Sequence, residues 1–149
     1  MNITYTTKHF RDLSLEDLYE IMRLRVDVFV VEQQCPYAEV DGKDEDAWHV
    51  MGRDGTGTLM AYARVLPRRD EEPSHIGRVV VNKEARGTGL ADELMRECFA
   101  LLERTYGTRR NAIAAQAYLE RFYQRHGYVT TSAPYDWDGI LHIDMVHEG

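Results

Sequence analysis

The sequence predicts an α/β (α+β) fold: a mixed, mostly antiparallel sheet with helices on its faces. Three observations carry this. Segments with a two-residue apolar period alternate along the chain with segments whose apolar positions recur every three or four residues. One segment, Ile76–Val81, is apolar on both faces apart from Arg78, which suits a central strand covered on both sides. The last two apolar segments, Tyr128–Ser132 and Ile140–Val146, flank a short PYDWDG loop as an antiparallel pair does.

Ile3–His9 alternates Ile, Tyr and Thr with polar partners and reads as a first strand. Ser14 caps the helix that follows, with Asp17 completing a near capping box. Leu15, Leu18, Met22, Val26 and Phe29 form one apolar face, so that helix is predicted to run to about Val31. Gln33–Asp46, with Pro36, Gly42 and many acids, reads as a loop with one turn of helix at most. Ala47–Arg53 and Thr58–Leu66 are predicted to pair around the Gly55-Thr56-Gly57 turn. After Ile76–Val81 the polar NKEARGTG loop leads into a helix with Leu90, Leu94, Cys98 and Leu101 on one face, ending before Gly107. Asn111–Ala115 is a short buried strand, and Tyr118–His126 a helix ended by Gly127. Ile140–Val146 is expected at an edge, where it could pair across a homodimer; a monomer is the other expectation.

The chain has 149 residues, 44% of them apolar, which suits a single domain over residues 1–149 with a core that needs no staples. Its two cysteines, Cys35 and Cys98, form no Cys-x-x-Cys pair, so a reduced, cytoplasmic protein is expected. No apolar run approaches the ~20 residues a membrane span needs, and residues 1–10 lack the apolar core of a signal peptide. The formal charge of −7 argues against nucleic acid as a partner. The charge is uneven. EVDGKDED at 39–46 holds five acids and one lysine, whereas 64–86 carries Arg64, Arg68, Arg69, Arg78, Lys83 and Arg86. Asp41, Asp44 and Asp46 lack EF-hand spacing and no zinc motif is present, so no metal is expected.

The strongest chemical feature is Arg86-Gly87-Thr88-Gly89-Leu90-Ala91, between the central strand and the next helix. Free N–H groups at a helix start and the positive end of its dipole suit phosphate oxygens. Arg86 adds a bidentate cation and Ala91 leaves the approach open. These residues alone suit either a phosphate cradle or a glycine-relieved turn. Neither a Rossmann fingerprint, which wants a small residue where Asp92 stands, nor a Walker loop is present.

Arg-x-x-Gly-x-Ala after a valine-rich strand resembles the pyrophosphate-binding motif of the GNAT superfamily of N-acetyltransferases. The resemblance extends through 24–50, 62–68, 76–95, 115–128 and 138–145, and within the superfamily it is to the ElaA-like group. It implies the GNAT acyl-CoA N-acyltransferase fold with splayed central strands, and acetyl-CoA as co-substrate. It further implies that Val79, Val80 and Val81 meet the pantetheine arm, that the N–H groups of Arg86, Gly87, Thr88, Gly89, Leu90 and Ala91 cradle the pyrophosphate, and that Gln116 also faces the coenzyme. Tyr123 matches the tyrosine that serves as general acid toward the departing thiolate. A phenol of pKa near ~10 suits that task, although a tyrosine there could equally pack against the sheet.

Transfer to a primary amine also needs a base, because an alkyl ammonium of pKa near ~10 is almost wholly protonated at pH 7. Candidates are Glu32, Glu39, Asp41, Asp44, His49 and His142, with Glu32 and His142 ranked first. Glu32, Glu39, Asp41 and His49 are also candidates for holding the acceptor, a small-molecule or peptide amine, and the acidic 39–46 loop could favour a cationic one. Cys35 with His49 as base is an alternative nucleophile, though a packed thiol is the plainer reading. Trp48 reads as a core residue and Trp137 as a loop wedge. Two other functions fit the same residues. One is a non-catalytic acyl-CoA sensor or partner-binding module. The other is acyl transfer like that of acyl-homoserine-lactone synthases, whose amino-terminal block Arg25, Phe29, Glu39, Asp41 and Asp44 resemble.

Overall fold

Residues 2–149 are described by the computed structural model. Strand β1 (Thr4–His9) leads to helix α1 (Leu15–Arg25), then β2 (Trp48–Arg53), β3 (Leu59–Leu66) and β4 (Ser74–Val81). Helix α2 (Leu90–Tyr106), β5 (Asn111–Gln116), α3 (Glu120–Arg125), β6 (Val129–Thr130), β7 (Tyr135–Trp137) and β8 (Ile140–His147) follow. Among the described residues these eight strands form one mixed sheet in the order β1-β2-β3-β4-β5-β8-β6, with β7 also paired to β8. Only β4 and β5 run parallel, and they pair only at Ser74–Asn111 and His75–Ala112 before diverging. The sheet is therefore split by a wedge that opens from the start of β4 toward its end.

Local chemistry explains the helix boundaries. Ser14 accepts from the Asp17 N–H at 2.9 Å while Asp17 accepts from the Ser14 N–H at 3.2 Å, a complete capping box. The helix does not run on as a regular α-helix to Val31. From Val26 to Glu32 it widens into π-helical turns, with Gln33 N–H bonded to the Val28 carbonyl. Four valines crowd that stretch, and β-branched side chains weaken the regular α-helix. At the other end of the chain, Ala117–Leu119 forms a 3₁₀ turn ahead of α3, and Gly127 adopts φ +94° after it.

Two expectations are corrected near the C-terminus. The segment predicted as a PYDWDG loop contains β7, whose Tyr135–Trp137 pairs with Ile140–His142. Ile140–Val146 is not an exposed edge, because β8 has β5 on one side and β6 and β7 on the other. Three residues of alternating polarity give too little pattern to mark β7 in advance.

The sheet is covered on both faces. Ala63, Val65 and Ile76 pack with Leu94, Cys98, Phe99 and Leu102 of α2. Met51, Tyr62 and Val80 pack on the other face with Ile21 and Leu24 of α1. Ile76 and Val80 would share a face in a regular strand, since alternate residues point the same way. They face opposite cores here because the β3–β4 register slips: Arg64 pairs with Gly77 but Tyr62 pairs with Val80. Arg78 and Val79 form a bulge, and Arg78 takes φ +51°, a left-handed conformation rare outside glycine. No helix among the described residues is long and apolar enough to cross a membrane.

Candidate active site

The Arg86–Ala91 segment joins the end of β4 to the start of α2. Gly87 and Gly89 take φ +78° and +83°, and nothing lies within 4 Å of where a Cβ would stand on either. Gly89 is the N-cap and offers no side chain to the first turn, so the N–H groups that open α2 lack intrahelical partners. Thr88 donates its hydroxyl to the Ala85 carbonyl at 2.5 Å and braces the turn. Leu90 is buried against Met60 and Ala85, leaving its backbone to face outward. An anion of pyrophosphate size fits this cradle: open space, two glycines, orphan donors and a 17-residue helix dipole behind them.

A cavity of about 470 Å³ runs from this loop into the wedge between β4 and β5. Val79, Val80, Val81, Arg86 and Ala91 form one wall, with Gln116 and Tyr123 on the other. Beyond Val81 toward the start of β4, the strand edge has no β5 partner except at Ser74 and His75. An extended arm of a ligand can therefore pair with it, as an added strand would. Tyr123 is 6% exposed and lines the cavity. Burial lifts its phenol well above the ordinary value, so Tyr123 stays a neutral donor.

His142 faces the same cavity from β8, directly across the ladder from Gln116. Its Nδ1 lies 2.8 Å from the Ile140 carbonyl, which can only accept. Nδ1 therefore carries the hydrogen, and in the neutral ring Nε2 holds the lone pair. Tyr135 stacks near the ring at 6.2 Å and Trp137 at 5.1 Å, fixing its plane. Trp137 is thus a wall of the cavity on a strand, and not a loop wedge.

Glu32 also lines the cavity but is engaged. Its two carboxylate oxygens accept from Arg86 Nη1 and Nη2 at 2.9 and 3.1 Å. Two sequence candidates, a base and a phosphate ligand, thus hold each other.

The remaining acidic candidates build the protein. Arg25, wholly buried, donates to Glu39 at 2.5 Å and to Asp44 at 2.6 Å. Arg64 forks onto Asp41 with two bonds of 2.8 Å and reaches Asp44 at 3.2 Å. Arg78 donates to Glu39 at 2.7 Å and to Asp41 at 3.4 Å. Three guanidinium groups thus balance three carboxylates, and Glu39, Asp41 and Asp44 are absent from the cavity wall. Burial alone would raise the Asp44 carboxyl, but the hydrogen bond and charge of Arg25 hold it below its usual range. The expectation that the acidic 39–46 loop favours a cationic acceptor is corrected at Glu39, Asp41 and Asp44, whose charges this network takes up.

His49 is likewise placed elsewhere. Its Nε2 donates to the Asp44 carbonyl at 3.0 Å, leaving Nδ1 to accept from the Tyr62 hydroxyl at 2.7 Å. Both ring nitrogens are spent and burial lowers its pKa, so no Cys35–His49 nucleophile pair is assembled. Cys35 does line the cavity, where its thiol donates to the Asp138 carbonyl at 3.1 Å. Sequence reasoning left out Lys43, Tyr37 and the first half of β4 as cavity residues. The available signal was Arg64 and Arg78 within otherwise apolar strands, which demands buried partners for both.

Comparisons with known proteins match nearly the whole chain. The family model described as an acetyltransferase (GNAT) domain matches residues 12–148. A Synechocystis protein, UPF0039 protein sll0451, is 40% identical over 98% of this chain and 96% of its own. The solved structure of an acyl-CoA N-acyltransferase from Pseudomonas aeruginosa superimposes with a TM-score of 0.92 at 42% identity, covering 98% of this chain and 99% of the other. Escherichia coli ElaA superimposes with a TM-score of 0.92 at 37% identity, covering 99% and 100%.

Proposed function

The chain belongs to the acetyltransferase (GNAT) family, in its ElaA-like group, and from that premise we propose that it moves an acetyl group from acetyl-CoA directly to a primary amine in a ternary complex. The observation that carries this reading is the one cavity lined by Arg86 and Ala91, at the two ends of the glycine cradle, and by Tyr123 and His142. The thioester supplies an electrophilic carbonyl carbon and a thiolate leaving group. Arg86 and the amides from Gly87 to Ala91 hold the pyrophosphate, and the unpaired edge of β4 aligns the arm at Val79–Val81. His142 Nε2 takes one proton from the acceptor ammonium, the amine nitrogen bonds to the acyl carbon as the C–S bond breaks, and the nitrogen's second proton passes to the departing thiolate, which leaves as the thiol. Backbone N–H groups at the Arg78–Val79 bulge would steady the charge that grows on the acyl oxygen. Tyr123 donates a hydrogen bond to the departing sulfur. Its raised pKa keeps that proton on the phenol, because a thiol of about 8.5 is the stronger acid. Orientation supplies the rest of the acceleration.

The test is release of free CoA from acetyl-CoA in the presence of a panel of primary amines. Release that depends on the amine supports the reading, and no acetyl-CoA binding by calorimetry at millimolar ligand overturns it. Tyr123→Phe is expected to slow turnover with little loss of coenzyme affinity. An unchanged rate would remove Tyr123 from the chemistry.

The Arg86–Glu32 pair gives a second expectation. A pyrophosphate competes with Glu32 for the same guanidinium, so Glu32→Gln is expected to tighten acetyl-CoA binding by about two- to fivefold. With His142 as the base, kcat of that variant stays within about threefold of the parent. Calorimetry and steady-state rates on one preparation separate the two effects.

A further inference from the structure

The acceptor's chemistry can be read from the part of the cavity that lies beyond the Arg78 bulge, away from the pyrophosphate cradle. Tyr37, Lys43, Arg64, His75 and Arg78 stand there, on β3, β4 and the loop that crosses them. Three acids that hold this wall, Glu39, Asp41 and Asp44, are neutralised within the protein. Glu39 and Asp41 are tied to Arg25, Arg64 and Arg78, and Asp44 to Arg25 and Arg64. Arg78 also lies over the Tyr37 ring at 5.6 Å. Lys43 is different. Its backbone N–H bonds to Asp41, but its ammonium has no carboxylate within 4.0 Å among the described residues. The balanced network cancels its own charge, so the wall beyond the bulge carries the positive charge of Lys43.

The cavity's own carboxylates, Glu32 and Asp138, lie on other elements than Lys43. Glu32 is held by Arg86, and Asp138 lies in the β7–β8 turn with Trp137 and His142, where the reacting amine is handled. The cavity thus has an end suited to an ammonium that loses its proton, and an end suited to an anion. A polyamine would bring further positive charge toward Lys43.

We propose that the acceptor is a primary amine that carries its own carboxylate, and that Lys43 determines this specificity. The proposal rests on the acetyl-transfer reading and names the substrate class of that same site. Free amino acids and the amino-termini of acidic peptides share this chemistry. Charge-assisted hydrogen bonds of this kind discriminate strongly against a partner lacking the anion.

The experiment measures CoA release with carboxylate-bearing amines, their neutral carboxamide counterparts, and spermidine. Free amino acids and short acidic peptides form separate arms. The expected result is kcat/KM at least about tenfold higher for carboxylates in one of those arms than for carboxamides or spermidine. Lys43→Gln is expected to erase most of that preference through KM with little change in kcat, and Lys43→Arg to retain it. Spermidine or carboxamides used as well as the carboxylates would overturn the proposal while leaving acetyl transfer intact. So would a Lys43→Gln variant that weakens all amines alike. Failure of every amine to release CoA from bound acetyl-CoA would overturn both readings together.

Discussion

Arg25→Ala is expected to destabilise the protein by about 3–5 kcal/mol, a fall of roughly 10–15 °C in Tm. Arg25 is wholly buried at the end of α1, where it joins Glu39 and Asp44 through bonds of 2.5 and 2.6 Å. It also donates to the Glu39 carbonyl at 3.1 Å, so one side chain ties the helix to the loop that crosses the sheet. Removing it leaves two buried carboxylates short of a counter-charge, a far larger penalty than the net worth of the intact pair. Arg25→Lys recovers little, because an ammonium cannot fork across two carboxylates and a carbonyl.

The same variant has a signed pH dependence. In the parent, Asp41 and Asp44 titrate below their usual range because hydrogen bonds and charges from arginine outweigh burial. A depressed folded pKa contributes stability that is present above the unfolded value of about 3.9 and is lost as pH falls through the folded one. In Arg25→Ala, burial dominates at Asp44, and protonation relieves the defect. The stability gap between parent and variant is therefore expected to narrow as pH drops from 7 toward 4. Urea melts at several pH values check this, and an equal gap at pH 7 and 4 would contradict the network account.

His142→Gln is expected to lower kcat by roughly 10²–10³-fold, the usual range for loss of a positioned base, with acetyl-CoA affinity little changed. The Ile140 carbonyl fixes the hydrogen on Nδ1, aromatic neighbours hold the ring, and Nε2 is left for the acceptor's proton. Glutamine at this position can still hydrogen-bond but cannot accept a proton at neutral pH. Single-turnover rates with amine saturating read the chemical step alone. A loss of similar size in Glu32→Gln, with His142→Gln near the parent, would transfer the base role to Glu32.

Features that depend on neighbours in sequence were legible in the sequence. Ser14 and Asp17 lie three residues apart and form the capping box; Arg86–Ala91 holds its glycines at the turn it makes; Ile76–Val81 is apolar and lies between two covered faces. What stayed hidden joins distant parts. The arginine network links residues 14 to 39 positions apart, and its carboxylates look in sequence like a solvated acidic loop. Nothing local marks Arg78 for a positive φ. Its conformation is held from outside, by Glu39, Asp41 and the Tyr37 ring. His142 was legible as a candidate, but its tautomer was not, because the Ile140 carbonyl that sets it depends on how β8 turns away from β7. The acids of the 39–46 loop were legible as a count but not in their role: Glu39, Asp41 and Asp44 are tied to arginines and stabilise the fold.

Direct transfer within one cavity is tested by initial velocities with both acetyl-CoA and the amine varied. Attack within a ternary complex gives double-reciprocal lines that intersect. Parallel lines would mean that the acetyl group first rests on the protein, with the Cys35 thiol at the cavity wall as the nucleophile to examine, and would contradict the account.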